Sequence, residues 1–457
     1  MKPIAVTPLD RWTSCKIGRS GKAPLQRNDL ARYQLEALNH TLARARRNSP
    51  FYRKRLAGLS LPLVSLGDLA AVPFTSAADL RQDPLALLCV SQDRIARAVT
   101  LETSGTTGRS KRLFFTDADL ELTVDFFHHG MSTLVQPGQR VLILMPGHAP
   151  GSVGDLLTRG LARLPARAIV HGPVHDPATA VRQALEEKAD SLVGIPVQVL
   201  AMACHPEGRQ LAGQIRSVLL STDYIPDALV TRIEGRWQCR VFNHYGLTEM
   251  GLGGGVACAA HSGYHFREAD LLVEIVAPDT GQSLADGTAG EIVFTTLTRE
   301  GMPLIRYRTG DLAAFRVDLC PCGTLLKTLD RVRGRLHGTL PIHPHETLFI
   351  SDLDEAVFSV EGVVNYAAAM ETDRGVDRLT LRVETQPSAC MEPIASQIHR
   401  NLRRLAPIRR AMDKGVLKTA IMATYQPTAV STGVGKRTIL DFRQRNATHE
   451  RDRASSL

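Results

Sequence analysis

Two short apolar runs that stop in Gly/Pro turns constrain this chain most: Arg140-Val-Leu-Ile-Leu-Met-Pro-Gly147 and Asp190-Ser-Leu-Val-Gly-Ile-Pro196. Each is long enough for a strand, short for a core helix, and apolar on both faces, as in a strand buried in a parallel sheet. The helical pattern of ATAVRQALEEKA between them predicts βαβ units. From residue 264 the texture changes to LLVEIV, GEIVFTTL and LAAFRV, separated by Asp/Gly turns, which predicts an antiparallel region. A basic glycine segment, RVRGRLHG at 331–338, then precedes a tail with helices and strands of its own. The expected fold is therefore α/β. A large N-terminal body, residues 1–334, holds layered mixed and parallel sheets with helices plus the antiparallel region; a small, mobile α+β domain follows at 335–457.

Composition bounds the partners. At 457 residues, two or three compact units are expected. No apolar run approaches the ~18–20 residues that span a bilayer, which predicts no membrane association. The N-terminus lacks the apolar stretch of a secretory signal, and eight scattered cysteines do not form a disulfide framework, so the expectation is a cytoplasmic protein with reduced thiols. The net charge of +9 is concentrated in residues 1–55, with thirteen Lys/Arg and three acids. Aromatics are only 5%, and zinc-finger or RNA-recognition signatures are missing, so nucleic acid is not the expected partner. The charge reads instead as the solvated face of a helix from Asp29 to Arg47, with Leu30, Leu35, Leu38 and Leu42 at near-helical spacing. Such a helix could also support a homodimer.

Four stretches carry chemistry. Thr103-Ser-Gly-Thr-Thr-Gly-Arg-Ser-Lys111 follows a strand-like Ala98-Val-Thr-Leu101. Gly105 and Gly108 let the backbone turn its N–H groups toward an anion; Ser104, Thr106 and Thr107 add hydroxyls, and Lys111 a cation. The set suits nucleotide phosphates, although its Gly–Lys spacing is not that of the P-loop. Phe242-Asn-His-Tyr-Gly-Leu-Thr-Glu249 offers an aromatic ring for a base, a hydroxyl for a phosphate and a carboxylate for a hard cation such as Mg²⁺. Pro303-Leu-Ile-Arg-Tyr-Arg-Thr-Gly-Asp311 ends in a carboxylate fit to accept from two ribose hydroxyls. Ser431-Thr-Gly-Val-Gly-Lys436 presents a lysine on a glycine-rich loop.

The order S-G-T-T-G, Y-G-x-T-E, R-x-R-T-G-D, G-R and a C-terminal G-K resembles the adenylate-forming superfamily of acyl-CoA synthetases, luciferases and peptide-synthetase adenylation domains. Asn48-Ser-Pro-Phe-Tyr52, Val72-Pro-Phe-Thr75 and the run from Thr295 to Arg308 resemble its phenylacetate–CoA ligase branch. The resemblance implies an ATP- and Mg²⁺-dependent enzyme that joins a carboxylic acid, aryl or arylacetic in type, to AMP and passes the acyl group to coenzyme A. By the same resemblance, Ser104 through Lys111 hold the pyrophosphate. Tyr245 packs against adenine, with Asn243 near its amine, and Gly246 belongs to the nucleotide-binding set. Thr248 contacts the α-phosphate, Glu249 binds Mg²⁺, and Asp311 with Arg335 binds the ribose. Lys436 neutralises charge as the acid attacks, and the small domain then rotates about a hinge at His337.

Three features depart from the superfamily pattern: His337 stands where Asp or Lys is usual, Arg109-Ser110 precedes Lys111 where a Pro is common, and residues 338–345 lack the usual Gly/Asn-rich strand. These bear on rotation and thiol binding more than on adenylation. Other acceptors stay open, namely a phosphopantetheine carrier protein or a stable adenylyl product, as does a non-catalytic nucleotide-binding scaffold. Cys258, His265, Cys320 and Cys322 supply four soft ligands suited to a structural Zn²⁺. The plain alternative is one small buried cysteine and a Cys-Pro-Cys turn. Phe126 and Phe127 suit an aryl pocket or, by default, the core.

Overall fold

Strands Arg140–Ile143 and Arg167–Val170 pair in parallel, Arg140 opposite Arg167, with the helix Val153–Arg163 between them. This is the βαβ unit that the first apolar run predicts. The second run forms strand Ser191–Gly194, parallel to Ser217–Leu220 and accompanied by helices Pro177–Glu186, Pro196–Cys204 and Asp227–Trp237. All four residues of both strands are buried, which explains why their sequence lacks alternation.

The computed structural model describes residues 4–19, 25–101, 110–336, 339–343, 346–386, 389–424 and 437–443. Two compact units emerge: Met1–Gly172 with Phe242–Val332, and Pro173–Val241 with Arg333–Leu457. The last of the three breaks, after Val332, falls two residues before the expected boundary after residue 334. Residues 173–241, expected within the N-terminal body, group with the C-terminal part.

In the first unit the 22-residue helix Arg27–Asn48 buries Leu30, Gln34, Leu38, Thr41, Leu42 and Ala45 along one stripe. Leu35, expected on that stripe, is only half-buried. Gln34 and Thr41 instead donate to the carbonyls of Glu268 and Leu297, both at 2.8 Å. Several cations of the basic N-terminus are therefore engaged inward. Arg27 pairs with Glu268 and Lys16 with Asp270, each at 2.7 Å, and Arg44 donates to the Arg299 carbonyl. No helix among the described residues is long and apolar enough to cross a membrane.

Antiparallel strands Leu271–Val276, Gly290–Thr296 and Tyr307–Ala313 form the expected region, with a register shift between Glu291 and Val293. The third strand differs from the run LAAFRV at 312–317: it starts at Tyr307 and ends at Ala313, and Phe315 makes only an isolated bridge to Leu329. Asp311 therefore lies inside this strand.

The C-terminal part of the second unit is α+β. Val363–Asp373 and Val376–Thr385 form an antiparallel hairpin, flanked in parallel by Ile439–Asp441 and Leu417–Thr424. Helices Ile350–Phe358, Met391–Leu402 and Ala406–Asp413 accompany this sheet.

Candidate active site

The expected phosphate loop is bracketed by an antiparallel pair, Arg97–Leu101 and Lys111–Phe115, whose last rung joins Leu101 to Lys111. Ser104, Gly105, Thr106, Thr107 and Gly108 lie outside the described residues. Lys111 opens the second strand, and its Nζ is 2.5 Å from Glu249 Oε1. The cation expected at the phosphates and the carboxylate expected at the metal thus meet directly.

Glu249 sits on a 3₁₀ turn, Thr248–Met250, directly after the strand Arg240–Tyr245. The turn is built tightly. A Cβ on Gly246 would come within 2.6 Å of the Leu252 carbonyl, so only glycine fits there. Thr123 Oγ1 donates to the Gly251 carbonyl at 2.8 Å, and buried Arg267 donates to the Met250 carbonyl. Thr248 is half-buried at the start of the turn. Glu249 is 5% exposed, and its Oε1 also accepts from Tyr307 Oη at 3.0 Å. Burial alone would push its carboxyl up; the charge of Lys111 and the bonds from Lys111 and Tyr307 outweigh that and hold it below the ordinary range. An ionised, buried carboxylate of this kind fits a hard divalent cation.

Tyr245 is the last residue of its strand, and its Oη donates to Asp311 Oδ2 at 2.8 Å. This links the residue expected against adenine to the one expected on the ribose. Asn243, two positions earlier and on the same strand face, has a buried Oδ1 with no hydrogen-bond partner among the described residues. An orphaned acceptor costs free energy until a donor arrives, and an exocyclic amine is such a donor. Burial and then Arg267 push His244 down to about 4, so it faces the neighbouring Phe126 ring, 6.1 Å away, as a neutral imidazole.

The strand carrying Asp311 is positioned from two sides. Glu291 Oε2 accepts from Arg308 Nε at 2.7 Å, and its Oε1 from the Gly310 N–H at 2.9 Å. Gly310 has φ of 75°, which favours glycine. Arg306, 2% exposed, forms a fork on Glu274 with Nη2 at 3.0 Å and donates from Nη1 to the carbonyls of Ala70 and Val72, both at 2.9 Å. Thr75 N–H donates to the Arg306 carbonyl at 3.1 Å, and Tyr52 Oη accepts from the Ile305 N–H at 3.0 Å. The Asn48–Tyr52 and Val72–Thr75 stretches are therefore staples that hold the Ile305–Arg308 turn.

Lys111, Asn243, Tyr245, Gly246, Thr248, Glu249 and Asp311 thus all lie in the first unit. Arg335 lies in the second unit, in the short strand Gly334–Arg335, with an exposed side chain. His337 and Lys436 are outside the described residues. Tyr307 and Glu291 were not singled out from the sequence. The signal for Tyr307 is period two: positions 307, 309 and 311 share one strand face. Phe126 belongs to the core, 1% exposed, between Trp12 and the Arg267 guanidinium.

The donor atoms of Cys258, His265, Cys320 and Cys322 all lie within 4.8 Å of one another, and all four residues are buried. Cys258 Sγ is 3.5 Å from Cys320 Sγ, too far for a disulfide, and Cys322 Sγ is 3.7 Å from His265 Nε2. Zn–S bonds of 2.3 Å give a tetrahedron edge of about 3.8 Å, so these separations fit the metal. Thr328 Oγ1 lies 3.4 Å from His265 Nδ1, leaving Nε2 turned toward the sulfurs.

The family model described as AMP-binding enzyme matches residues 85–297. Phenylacetate–coenzyme A ligase of Thermus thermophilus is 28% identical over 375 residues, covering 79% of this chain and 82% of that protein. The phenylacetate–coenzyme A ligase of Escherichia coli is 28% identical over 376 residues, covering 79% and 84%. The crystal structure of 2-hydroxyisobutyryl-CoA ligase in its postadenylation state, in complex with R3-HIB-AMP, shares the fold with a TM-score of 0.77 at 21% identity, over 94% of this chain and 93% of that one. Over residues 85–297 the chain is thus similar to the AMP-binding enzymes, and over 79% of its length to phenylacetate–coenzyme A ligases.

Proposed function

We propose that the chain is an AMP-forming acid–thiol ligase that activates a carboxylic acid with ATP and transfers the acyl group to coenzyme A. One observation carries the reading furthest: a single strand and turn, residues 240–250, unites an orphaned acceptor at Asn243, the Tyr245–Asp311 bond and the Lys111–Glu249 pair. Base, ribose and phosphate functions are thus presented from one short stretch of backbone. The Thermus thermophilus and Escherichia coli proteins named above are phenylacetate–coenzyme A ligases, which supports an aryl or arylacetic acid.

In the first half-reaction a carboxylate oxygen attacks the α-phosphorus of ATP. A P–O bond forms, the bridging bond to the β-phosphate breaks, and pyrophosphate leaves. In the second, the thiol sulfur attacks the acyl carbon; a C–S bond forms, AMP leaves with the C–O electron pair, and the thiol proton passes to solvent. The first step asks the protein for position and cations rather than proton transfer. Asn243 accepts from the adenine amine, Tyr245 lies against the ring, and Asp311 with Arg335 holds the ribose. Thr248 contacts the α-phosphate. Lys111, with Ser104 through Gly108, holds the pyrophosphate, and Lys436 neutralises charge at the attacked phosphorus. Glu249 would hold Mg²⁺, which supplies charge neutralisation on the phosphate oxygens. Cys258, His265, Cys320 and Cys322 would hold a structural Zn²⁺.

The test is hydroxamate trapping with ATP and Mg²⁺ over a panel of aryl, arylacetic, short-chain and dicarboxylic acids, without and with coenzyme A. Trapping with an arylacetic acid, abolished by coenzyme A as thioester accumulates, is the expected result. Trapping that free coenzyme A leaves unchanged would shift the acceptor to a carrier protein. Silence across the panel despite ATP binding would remove the enzymatic reading.

A further inference from the structure

The helix Asp117–Met131, opened by a capping box between Thr116 and Asp119, gathers three metal-ligating side chains near its end. Asp125, His128 and His129 stand three and four residues apart, the spacing that brings side chains to one side of a helix. A carboxylate oxygen and two ring nitrogens, one ligand atom from each residue, all lie within 4.8 Å of one another. His129 Nε2 is 3.6 Å from Asp125 Oδ1, and the centroids of the two imidazoles are 4.3 Å apart. All three residues are partly exposed, so the group is open to solvent.

Neither a hydrogen bond nor an ion pair explains the grouping. A separation of 3.6 Å is too long for a hydrogen bond. Burial, and then the charge of His128, pushes His129 down to about 4, and burial lowers His128 as well. Both rings therefore face the carboxylate uncharged at neutral pH, in the form that ligates metals. Metal bonds of about 2.1 Å place tetrahedral N and O ligands about 3.4 Å apart, so one shared ion suits the spacing of His129 and Asp125.

The surroundings hold these ligands in place. Trp12 Nε1 donates to Asp125 Oδ2 at 2.8 Å, which fixes the carboxylate and leaves Oδ1 toward His129. Outer donors of this kind orient ligating carboxylates in metal sites. The His129 ring stacks on Trp12, with centroids 5.6 Å apart. Three nearby cations oppose a metal, but each is engaged with another partner. Lys16 Nζ lies 3.8 Å from Asp125 Oδ2 and 2.7 Å from Asp270, Arg163 pairs with Glu121 at 2.6 Å, and Arg267 donates to the carbonyls of Leu122 and Met250. The end of the helix works the other way. His128 and His129 are in its last turn, where the partial negative charge of the carbonyls favours a cation.

We propose that Asp125, His128 and His129 bind a divalent ion of borderline softness, Zn²⁺ or a near neighbour in the first transition row, at a site separate from the Cys258 cluster. Three protein ligands leave at least one position for water or a small anion. Without thiolates and with one ligand fewer than the sulfur set, this site releases its ion on dialysis while the sulfur site keeps its own. All of its residues belong to the first unit, and it does not depend on the ligase reading.

Cobalt tests the site because its spectrum reports the ligands. Protein supplied with zinc and then dialysed would be titrated with Co²⁺, with bound cobalt measured by equilibrium dialysis and tryptophan emission followed in parallel. The chain has two tryptophans, Trp12 and Trp237, and Trp237 lies in the second unit. One cobalt per chain should bind beyond the retained zinc and quench the Trp12 emission, with weak visible bands and no thiolate charge transfer. Trp12→Phe should abolish the quenching and weaken cobalt binding by about tenfold, as loss of an outer-shell donor does. Asp125→Asn and His128→Gln should each weaken binding further than Trp12→Phe, and the double variant His128→Gln with His129→Gln should take up no additional cobalt. These separate variants keep the test sound should one of them fold poorly. Wild-type protein that binds no cobalt beyond its zinc overturns the site. Cobalt that stays bound in the Asp125 and histidine variants, or that shows thiolate charge transfer, lies elsewhere and overturns it equally.

Discussion

At the scale of single residues, the site is organised by who supplies the second partner. Glu249 would be a costly buried charge by itself; Lys111 and Tyr307 keep it ionised. Removing the Tyr307 hydroxyl takes away a bond that favours the carboxylate, so the carboxyl of Glu249 must rise. The acid limb of the kcat/KM profile for pyrophosphate release should therefore move to higher pH in Tyr307→Phe, with the plateau little changed. An unmoved limb would mean that another group controls it. Glu249→Gln should lower kcat by about 10²–10³-fold, as for loss of an oriented electrostatic contact. Asn243 makes a sharper case because its free oxygen is a negative space for one donor. Asn243→Ala should weaken ATP binding by about tenfold, the size of one hydrogen bond. An ATP analogue lacking the 6-amino group should bind the wild type and Asn243→Ala alike; retained discrimination in the variant would place the amine elsewhere.

At the scale of elements, the motifs divide into those proposed to touch nucleotide and those that hold the first kind in place. Arg306 and Arg308 read alike in the sequence, yet Arg306 is buried on Glu274 and the carbonyls of Ala70 and Val72, while Arg308 braces Glu291. Arg306→Met should leave Glu274 buried without its cation and cost about 3–5 kcal/mol of stability, read from the denaturation midpoint. Adding Glu274→Met should recover much of this but not all, since two carbonyls still lack their donor; a double variant no better than the single would show that the pair is not the source of the cost. This division also shows where the sequence was legible. The buried parallel strands announced themselves by apolar runs ended by Gly/Pro turns, and Tyr245, Glu249 and Asp311 by polar groups beside glycines. The strand Tyr307–Ala313 was misjudged because its start is set by distant partners, Thr75 and Glu291, and not by its own alternation. Tyr307 was missed for the same reason: its partner is 58 residues away.

At the scale of the whole molecule, the metal reading joins segments that share no local pattern. Cys258 follows the strand Gly255–Ala257, His265 lies on Tyr264–Phe266, and Cys320 and Cys322 flank a turn closed by the Gly323 N–H on the Cys320 carbonyl at 2.9 Å. The turn is also tied to the N-terminal helix Pro8–Lys16, through Asp10 accepting from Thr324 at 2.7 Å. Three thiols and an imidazole gathered in the interior gain little from one another as apolar fillers, whereas thiolates around a divalent cation are each satisfied. A metal that binds the folded chain and not the unfolded one stabilises by linkage. Purified protein should therefore carry one zinc per chain by mass spectrometry, and stripping it with a chelator should lower Tm by several degrees. Cys320→Ser should abolish zinc retention with a similar loss of Tm. Because a metal closed off by three thiolates and an imidazole is structural, metal-free protein kept below its lowered Tm should still release pyrophosphate at a rate within about threefold of the zinc form, as expected when the removed group makes no transition-state contact. A chain that carries no zinc, or whose Tm ignores the chelator, would return the four residues to a plain buried cluster.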